Sequence, residues 1–441
     1  MQSNAQGESV RESALRELGW TGGPLSIGGC DAASLVAEHG SPLYVFDAEV
    51  ARRRLAAVRD AFGPEAEVLF ALKSNPNLGL VQQLVAAGAG ADVTSAGELL
   101  IALAAGAQPE RIQFAGPGKL PSELALAFER GVLGLNVESS ADYEVIKVEA
   151  VRAGVRPRLS IRVNPSTIQS CARMRMGGGS NKFGVDEDKV PGLARKILED
   201  GVCELEGLHL YLGTQCFDAE GWVGTTHGLL ELADRLEAET GATLKELNFG
   251  GGFGVAYFQG DGVFDLDTAG KGLRAAIEQD ARPDRTYRIE LGRYLVAPCG
   301  VYLTRVQHLK ESQGTRYAIL DGGLHHHSAA AGVGSVLRRA FPILSAKTPE
   351  AKERSPVTLC GPLCTPADEL AAKCELPNLE PGDVVAVLVS GAYGLTFSNV
   401  KFLSHPSPAE LLVQDGVAHV VREAGRPEDA LTGQHLVERG G

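Results

Sequence analysis

Several things this sequence has little of narrow the field. Its eight cysteines, at positions 30, 171, 203, 216, 299, 360, 364 and 374, include no Cys-x-x-Cys pair. Neither a disulfide framework nor a structural zinc site is indicated, and each cysteine is expected to behave as a small buried hydrophobe. No apolar run is long enough to cross a bilayer, and the opening stretch Met1 to Glu8 lacks the basic and apolar regions of a secretory signal. A cytoplasmic protein is expected. Cationic charge is scarce too, with 42 lysines and arginines against 55 acidic residues and a formal net charge of −13. That balance argues against a sequence-independent grip on nucleic acid or on an anionic membrane. Any anionic ligand must be held by a local cluster. Internal repeats and low-complexity segments are also missing.

The chain itself is long: 441 residues exceed one ordinary core, so two domains are expected. With 44% hydrophobic residues, 22% charged and 54 glycines, it reads as an α/β protein with many tight turns. Residues 1–41 have too little apolar length for a core of their own. From Pro42 a regular alternation begins, in which apolar runs end near Leu72, Val93, Phe114, Val137, Val163, Leu212, Phe249 and Ile289. Amphipathic segments lie between them, including 78–87, 97–105, 122–128, 141–152, 193–198 and 228–236. Eight strands alternating with helices predict a closed (β/α)8 barrel over 42–299. After Gly300 the runs are strand-like with no long helix, and 411–420 reads as a hairpin turning at Asp415-Gly416. A β domain over 300–425 follows, completed by residues 1–41, with a polar, frayed tail over 426–441.

Chemistry gathers at the predicted carboxyl ends of the barrel strands, where barrel enzymes place it. Lys73 follows five apolar residues, Val68 to Leu72, and Pro76 closes the element. An ammonium beside apolar walls loses hydration, which lowers its pKa and suits a lysine that bonds to an aldehyde. Gly250, Gly251 and Gly252 let successive backbone N–H groups close on an anion. Glu290 and Arg293 pair a carboxylate at a strand end with an arginine that can meet an oxyanion. His209 to Thr214 places an aromatic ring, Tyr211, and a hydroxyl near the same pocket. In the β domain Cys364 and Tyr393 sit on turn-rich loops, where reactive groups are better functional candidates than in a core. The run His325-His326-His327 does not suggest a metal, because adjacent side chains diverge and no carboxylate stands at ligand spacing.

Together these motifs resemble the fold-type III pyridoxal-phosphate enzymes, the decarboxylases of diaminopimelate, ornithine and arginine, over about Pro42 to Val413. The resemblance implies the alanine racemase-like architecture, a TIM barrel that binds pyridoxal 5'-phosphate plus a β domain. It implies that Lys73 carries the cofactor, that Asp92 lies close to that linkage, and that Glu290 keeps the pyridine nitrogen protonated. Gly250, Gly251, Gly252, Thr214, Arg293 and Tyr393 would hold the phosphate, with Tyr211 stacked on the ring. Cys364 would come from a second subunit as proton donor, making a homodimer with shared sites, and Lys182 would pair with Asp368 across the interface.

The departures from the family are informative. Tyr211 stands where a histidine usually stacks; a phenol can stack but carries no positive charge. Thr365 follows Cys364, where relatives that bind a distal amine have an acid, and the usual Arg-Pro segment after Asp321-Gly322 is replaced by a histidine run. A cationic distal group would find only Asp321. The expected substrate contacts are Arg293, Asp321, Thr365 and Tyr393. The Leu-His-His and Cys-Thr-Pro signatures resemble a smaller branch. It includes a decarboxylase of glutamate tethered to an acyl carrier protein and decarboxylases of exopolysaccharide or exosortase clusters. The expected activity is decarboxylation of an unusual amino acid, free or carrier-bound, in a specialised pathway. The alternatives are a diaminopimelate-type decarboxylase, an amino-acid racemase of the same fold and, least favoured, a non-enzymatic binding paralogue. Arg173, Arg175, Lys182, Arg338 and Arg339 are candidates for a basic rim that an acidic carrier would meet.

Overall fold

The computed structural model describes residues 9–166, 177–333 and 339–437, with the backbone alone at 174 and 175. The chain divides into two compact units, one spanning 51–256 and 260–296, the other holding the residues up to Val50, 257–259 and those from Ala297 on.

The first unit is a closed parallel barrel of β1 (Ala66–Ala71), β2 (Gly90–Val93), β3 (Ile112–Phe114), β4 (Gly134–Val137), β5 (Arg158–Asn164), β6 (Glu204–Leu210), β7 (Glu246–Gly251) and β8 (Thr286–Leu291). Each strand pairs in parallel with the next, and β8 pairs with β1 to close the ring. The apolar runs read from the sequence are these strands, for a physical reason: both faces of a barrel strand are covered, one by the lumen packing and one by helices.

The intervening helices start on side chains that accept from the first turn. Asn77 caps Leu78–Ala86, Ser95 caps Ala96–Ala104, Ser139 caps Ser140–Ala153 and Asp218 caps Ala219–Thr240. Each such cap is worth about 1 kcal/mol. The helix Leu266–Asp280, absent from the sequence reading, buries Ala269, Gly270, Leu273 and Ala276. Its face is made of small residues, so its apolar signal is weak.

The second unit is a nine-stranded sheet system. At its centre, Leu43–Asp47 lies between Gly300–Ser312, which it pairs antiparallel, and Ala409–Gln414, which it pairs in parallel. The expected barrel boundary at Pro42 is therefore corrected: Leu43–Asp47 belongs to the β unit, where all five of its residues are buried. The Asp-Gly hairpin forms as expected between Ala409–Gln414 and Val417–Arg422. Asp415 and Gly416 adopt φ of 52° and 76°, the mirror-image turn whose twist matches that of paired strands. In the tail, Pro427–Leu431 forms an exposed 3-10 turn.

The three histidines are core residues of this unit. His327 Nε2 meets Ser390 Oγ at 3.0 Å, His326 Nε2 meets the Pro406 carbonyl at 2.9 Å, and the His325 ring lies between those of His326 and His405, 3.6 and 4.8 Å away. Among the described residues no cluster suited to a metal ion is found, nor any helix long and apolar enough to cross a membrane. Cys203, Cys216 and Cys299 are buried as expected, but Cys216 is disulfide-bonded, Cys30, Cys360 and Cys374 are half-buried and Cys364 is exposed; all of these except Cys216 are free.

Candidate active site

β1 ends at Ala71, and a single 3-10 turn, Leu72–Ser74, carries Lys73 onto the barrel mouth. The turn is pinned by Ser74 Oγ, which donates to the Ala71 carbonyl at 2.8 Å, and Gly292 after β8 packs so closely that an added Cβ would come 2.9 Å from Ser74. The Lys73 ammonium is thereby placed 5.1 Å from the centroid of the Tyr211 ring, beyond β6.

Glu290, near the end of β8, is buried and fully engaged. Asn248 Nδ2 donates to its Oε1 at 2.7 Å, and His209 Nε2 meets its Oε2 at 3.2 Å. Burial pushes this carboxyl up, but His209, Lys73 and Asn248 more than reverse that, holding it well below the usual carboxylate range. Asp92, at the end of β2, goes the other way: burial raises it well above that range, Glu290 adds to the rise, and Lys73 opposes it. Two carboxyls in one pocket are thus driven apart, Glu290 towards its ionised form and Asp92 towards its protonated one.

The glycine turn is a cradle in the strict sense that no side chain fits in it. A Cβ on Gly250 would lie 2.3 Å from the Leu210 carbonyl oxygen, on Gly251 2.1 Å from that of Glu290, and on Gly252 2.0 Å from that of Gly213. Gly250 and Gly252 also take φ of 62° and 80°, which favours glycine. Asn248 links cradle to carboxylate, since its Oδ1 accepts from the Gly250 N–H at 3.0 Å. From outside the barrel the cradle is braced by Phe253, whose ring stacks on Phe264 and Phe62, 4.1 and 5.9 Å away, and meets Trp222 edge-on at 5.1 Å. Losing such a buried ring costs about 3–5 kcal/mol. Thr214 sits next to the cradle on the short strand Gly213–Thr214, and Arg293 opens the helix Arg293–Val296 directly after β8.

Lys73, Asp92, Tyr211, Glu290, Arg293, Thr214 and the three glycines are therefore carried on the carboxyl ends of barrel strands or the turns that follow them. Sequence reasoning missed His209 and Asn248 as the supports of Glu290. The signal was there: each stands near the carboxyl end of its strand, two residues before the candidates Tyr211 and Gly250.

The remaining candidates lie in the β unit. Cys364 is exposed on the loop 361–368, and Tyr393, at φ 53°, places its ring 6.1 Å from that of Phe397. Asp321 is a structural residue there: its Oδ1 accepts from Ser41 Oγ, Thr304 Oγ1 and the Arg305 N–H at 3.1, 2.8 and 2.9 Å. Asp368 is likewise consumed internally, accepting from the Leu324 and Leu363 N–H groups at 2.6 and 2.8 Å while only 3% exposed. The Lys182 ammonium, the expected partner of Asp368 from a second subunit, rests over the Phe183 ring at 4.9 Å within its own chain. Thr365 Oγ1 accepts weakly from the Ala367 N–H at 3.3 Å. Of the basic-rim candidates, Arg173, Arg338 and the Arg175 side chain lie outside the described residues, and the Arg339 guanidinium lies 4.0 Å from the Phe258 ring centroid.

An amine at the mouth, an ionised carboxylate behind it and a side-chain-free anion cradle are the donor set that pyridoxal phosphate requires. The buried Asp92 Oδ1 and His209 Nδ1, both without a hydrogen-bond partner, fit a pocket that a polar cofactor completes. A barrel enzyme using that cofactor is the class these residues define. Comparison with known proteins agrees. The family described as "Pyridoxal-dependent decarboxylase, pyridoxal binding domain" matches residues 48–297, and the chain belongs to it. It is a pyridoxal-phosphate-dependent carboxy-lyase acting on an amino acid.

Among its relatives, the L-glutamyl-[BtrI acyl-carrier protein] decarboxylase of Niallia circulans is 34% identical over 423 residues, covering 94% of this chain and 98% of the relative. The diaminopimelate decarboxylase of Methanothermobacter thermautotrophicus is 32% identical over 428 residues, covering 95% and 97%. Among solved structures, the diaminopimelate decarboxylase of M. jannaschii in complex with L-lysine matches with a TM-score of 0.87 at 27% identity, covering 94% of this chain and 96% of that one. That of Helicobacter pylori with L-lysine matches at 0.82 and 30%, covering 90% and 98%.

Proposed function

We propose that this decarboxylase acts on an amino acid whose far end is a neutral acyl linkage, as in glutamate tethered to an acyl carrier protein, and not on a free diamino acid. The observation that carries the substrate reading is the state of Asp321. It is the carboxylate that the sequence offered to a distal ammonium, and its Oδ1 is taken up by three hydrogen bonds within the β unit while Gln307 Nε2 lies 3.4 Å from its Oδ2. Thr365, the other candidate at that end, is neutral. A cationic end group left without a carboxylate would cost several kcal/mol. The relative from Niallia circulans, whose name specifies a carrier-linked glutamyl substrate, supports the same choice.

In this reading Lys73 holds the cofactor, and the cradle Gly250 to Gly252, with Thr214, Arg293 and Tyr393, holds its phosphate. Bound there, pyridoxal phosphate supplies the electron sink that accepts the bond pair left by the departing carboxylate. Glu290, kept ionised by Asn248 and His209, holds a proton on the ring nitrogen. Tyr211 supports the ring, and Asp92, whose carboxyl burial biases towards the protonated form, stands at the end of β2 within the electrostatic reach of Lys73. The exposed Cys364 thiol serves the site of a second copy in a homodimer, delivering a proton to the carbon that has lost its carboxylate.

The test is a mass-spectrometric comparison of loss of CO2 from carrier-tethered glutamate, free glutamate and diaminopimelate. Tethered glutamate should turn over at least about tenfold faster, a difference of ~1.4 kcal/mol in barrier. Equal rates, or preference for diaminopimelate, would reject the neutral-end reading and leave the decarboxylase standing. Chiral analysis of the same samples separates decarboxylation from racemisation.

A further inference from the structure

Two buried ionic residues at the barrel mouth have no part in the mechanism above. Arg162, on β5, is 7% exposed, and Glu138, one residue beyond β4, is 3% exposed. Arg162 Nη1 donates to both oxygens of Glu138, at 3.0 and 3.1 Å. Glu138 also accepts from the Gly116 N–H at 3.0 Å and the Gly184 N–H at 3.3 Å. One carboxylate therefore ties together the turn after β3, the end of β5 and the Lys182-Phe183-Gly184 turn. The guanidinium meets two rings: its Cζ lies 4.6 Å from the Phe183 centroid and 5.9 Å from that of Tyr211. The Tyr211 ring is the same one that Lys73 approaches at 5.1 Å.

A buried ion pair is a poor way to gain stability, since desolvation of both charges roughly cancels their attraction. Geometric placement is the better account of this one. Lys73 must detach and return during turnover, so its contact with the ring is intermittent. Arg162 is anchored by its carboxylate and planar, so its contact is not.

We propose that Arg162 is a positioning residue for this reaction: anchored by Glu138, it fixes the Tyr211 ring beside Lys73, and the same carboxylate docks the Phe183–Gly184 turn against it. The inference rests on the assignment of Lys73 as the cofactor-bearing residue.

The experiment uses the cofactor-loaded full chain and reads three things: the pH dependence of its visible absorbance, its affinity for pyridoxal phosphate by equilibrium dialysis, and kcat and KM. Arg162→Met should lower kcat roughly 10- to 100-fold with KM changed by no more than about twofold, and should shift the midpoint of the absorbance–pH curve. Arg162→Lys, which keeps the charge, should recover part of that shift. Tyr211→Leu should reproduce it, and the double variant should add nothing, because the arginine acts through the ring. A wild-type absorbance curve in Arg162→Met, or losses that multiply in the double variant, would overturn the proposal. If Arg162→Met does not fold, the same cycle run with Arg162→Lys gives the decision. Wild-type protein that takes up no pyridoxal phosphate would instead bring down the assignment of Lys73.

Discussion

The two ends of the barrel interior are built from the same strands and much the same residue types, yet they are finished differently. At the amino end, Arg288 of β8 sits between Glu67 of β1 and Glu246 of β7, its Nε 2.9 Å from Glu67 Oε2 and its Nη1 bonded to Glu246. The second oxygens are also taken, by Arg111 Nε on Glu67 and by Ser160 Oγ on Glu246, each at 2.7 Å. Two residues further along the same strand faces, Arg288 gives way to Glu290 and Glu246 to Asn248. There the pairing stops short, and Asp92 Oδ1 and His209 Nδ1 have no partner. At the floor every charged group of the Arg288 cluster is bonded, and the gap is the amide Asn136 Nδ2 at its edge. Such a network specifies and stiffens the fold, whereas a carboxyl and an imidazole each left with an unbonded atom are held ready for a ligand. The floor of the barrel is a joint and the mouth is a socket.

That contrast can be broken from either end. The largest effect is expected for Lys73→Ala, which should cut decarboxylation by roughly a thousandfold or more while leaving the melting temperature near that of wild type; normal turnover would remove Lys73 from the chemistry. At the floor, Glu246→Gln leaves the Arg288 charge short of a counterion and should cost about 3 kcal/mol of stability in a denaturant titration. An unchanged midpoint would mean that the floor does not hold the barrel.

Asn248→Ala tests the mouth more finely. Glu290 loses a donor and the Gly250 N–H loses its acceptor, so turnover should fall about 10- to 100-fold with little change in melting. The smallest effect, with the opposite sign on stability, is expected for Asp92→Asn. The folded carboxyl ionises at higher pH than the ordinary 3.8, so its contribution to stability is present below that value and lost as pH rises through the folded one. At pH 7 a residue that cannot ionise should raise the melting temperature by about 2 °C while lowering turnover. A lower melting temperature would show that the mouth is built for stability after all.

What could be read from the chain beforehand follows a physical division. Barrel strands are apolar on both faces and are punctuated by turn residues, so all eight were visible as local runs. Lys73, Glu290 and the three glycines were visible because each announces its chemistry within a few neighbours. The residues whose surroundings could not be read depend largely on partners far away in sequence. Asp321 looks available until Ser41 and Thr304 are found against it. Asp368 is held by the nearby Leu363 N–H, but also by that of Leu324 from a distant loop. His209 gains its meaning only from Glu290 across the barrel. The strand Leu43–Asp47 carries the apolar pattern of a barrel strand, and nothing within it reveals that its neighbours are Gly300–Ser312 and Ala409–Gln414.

That strand also sets the order in which the protein can be completed as it is made. On the ribosome Leu43–Asp47 emerges before any barrel strand, yet one of its neighbours follows the whole barrel and the other comes later still. The barrel can close during synthesis, while the β unit must wait for Ala409–Gln414. A nascent chain stalled before Ala409 would expose a strand of five buried-type residues with an open edge, a natural seat for a chaperone and, without one, for a second stalled chain.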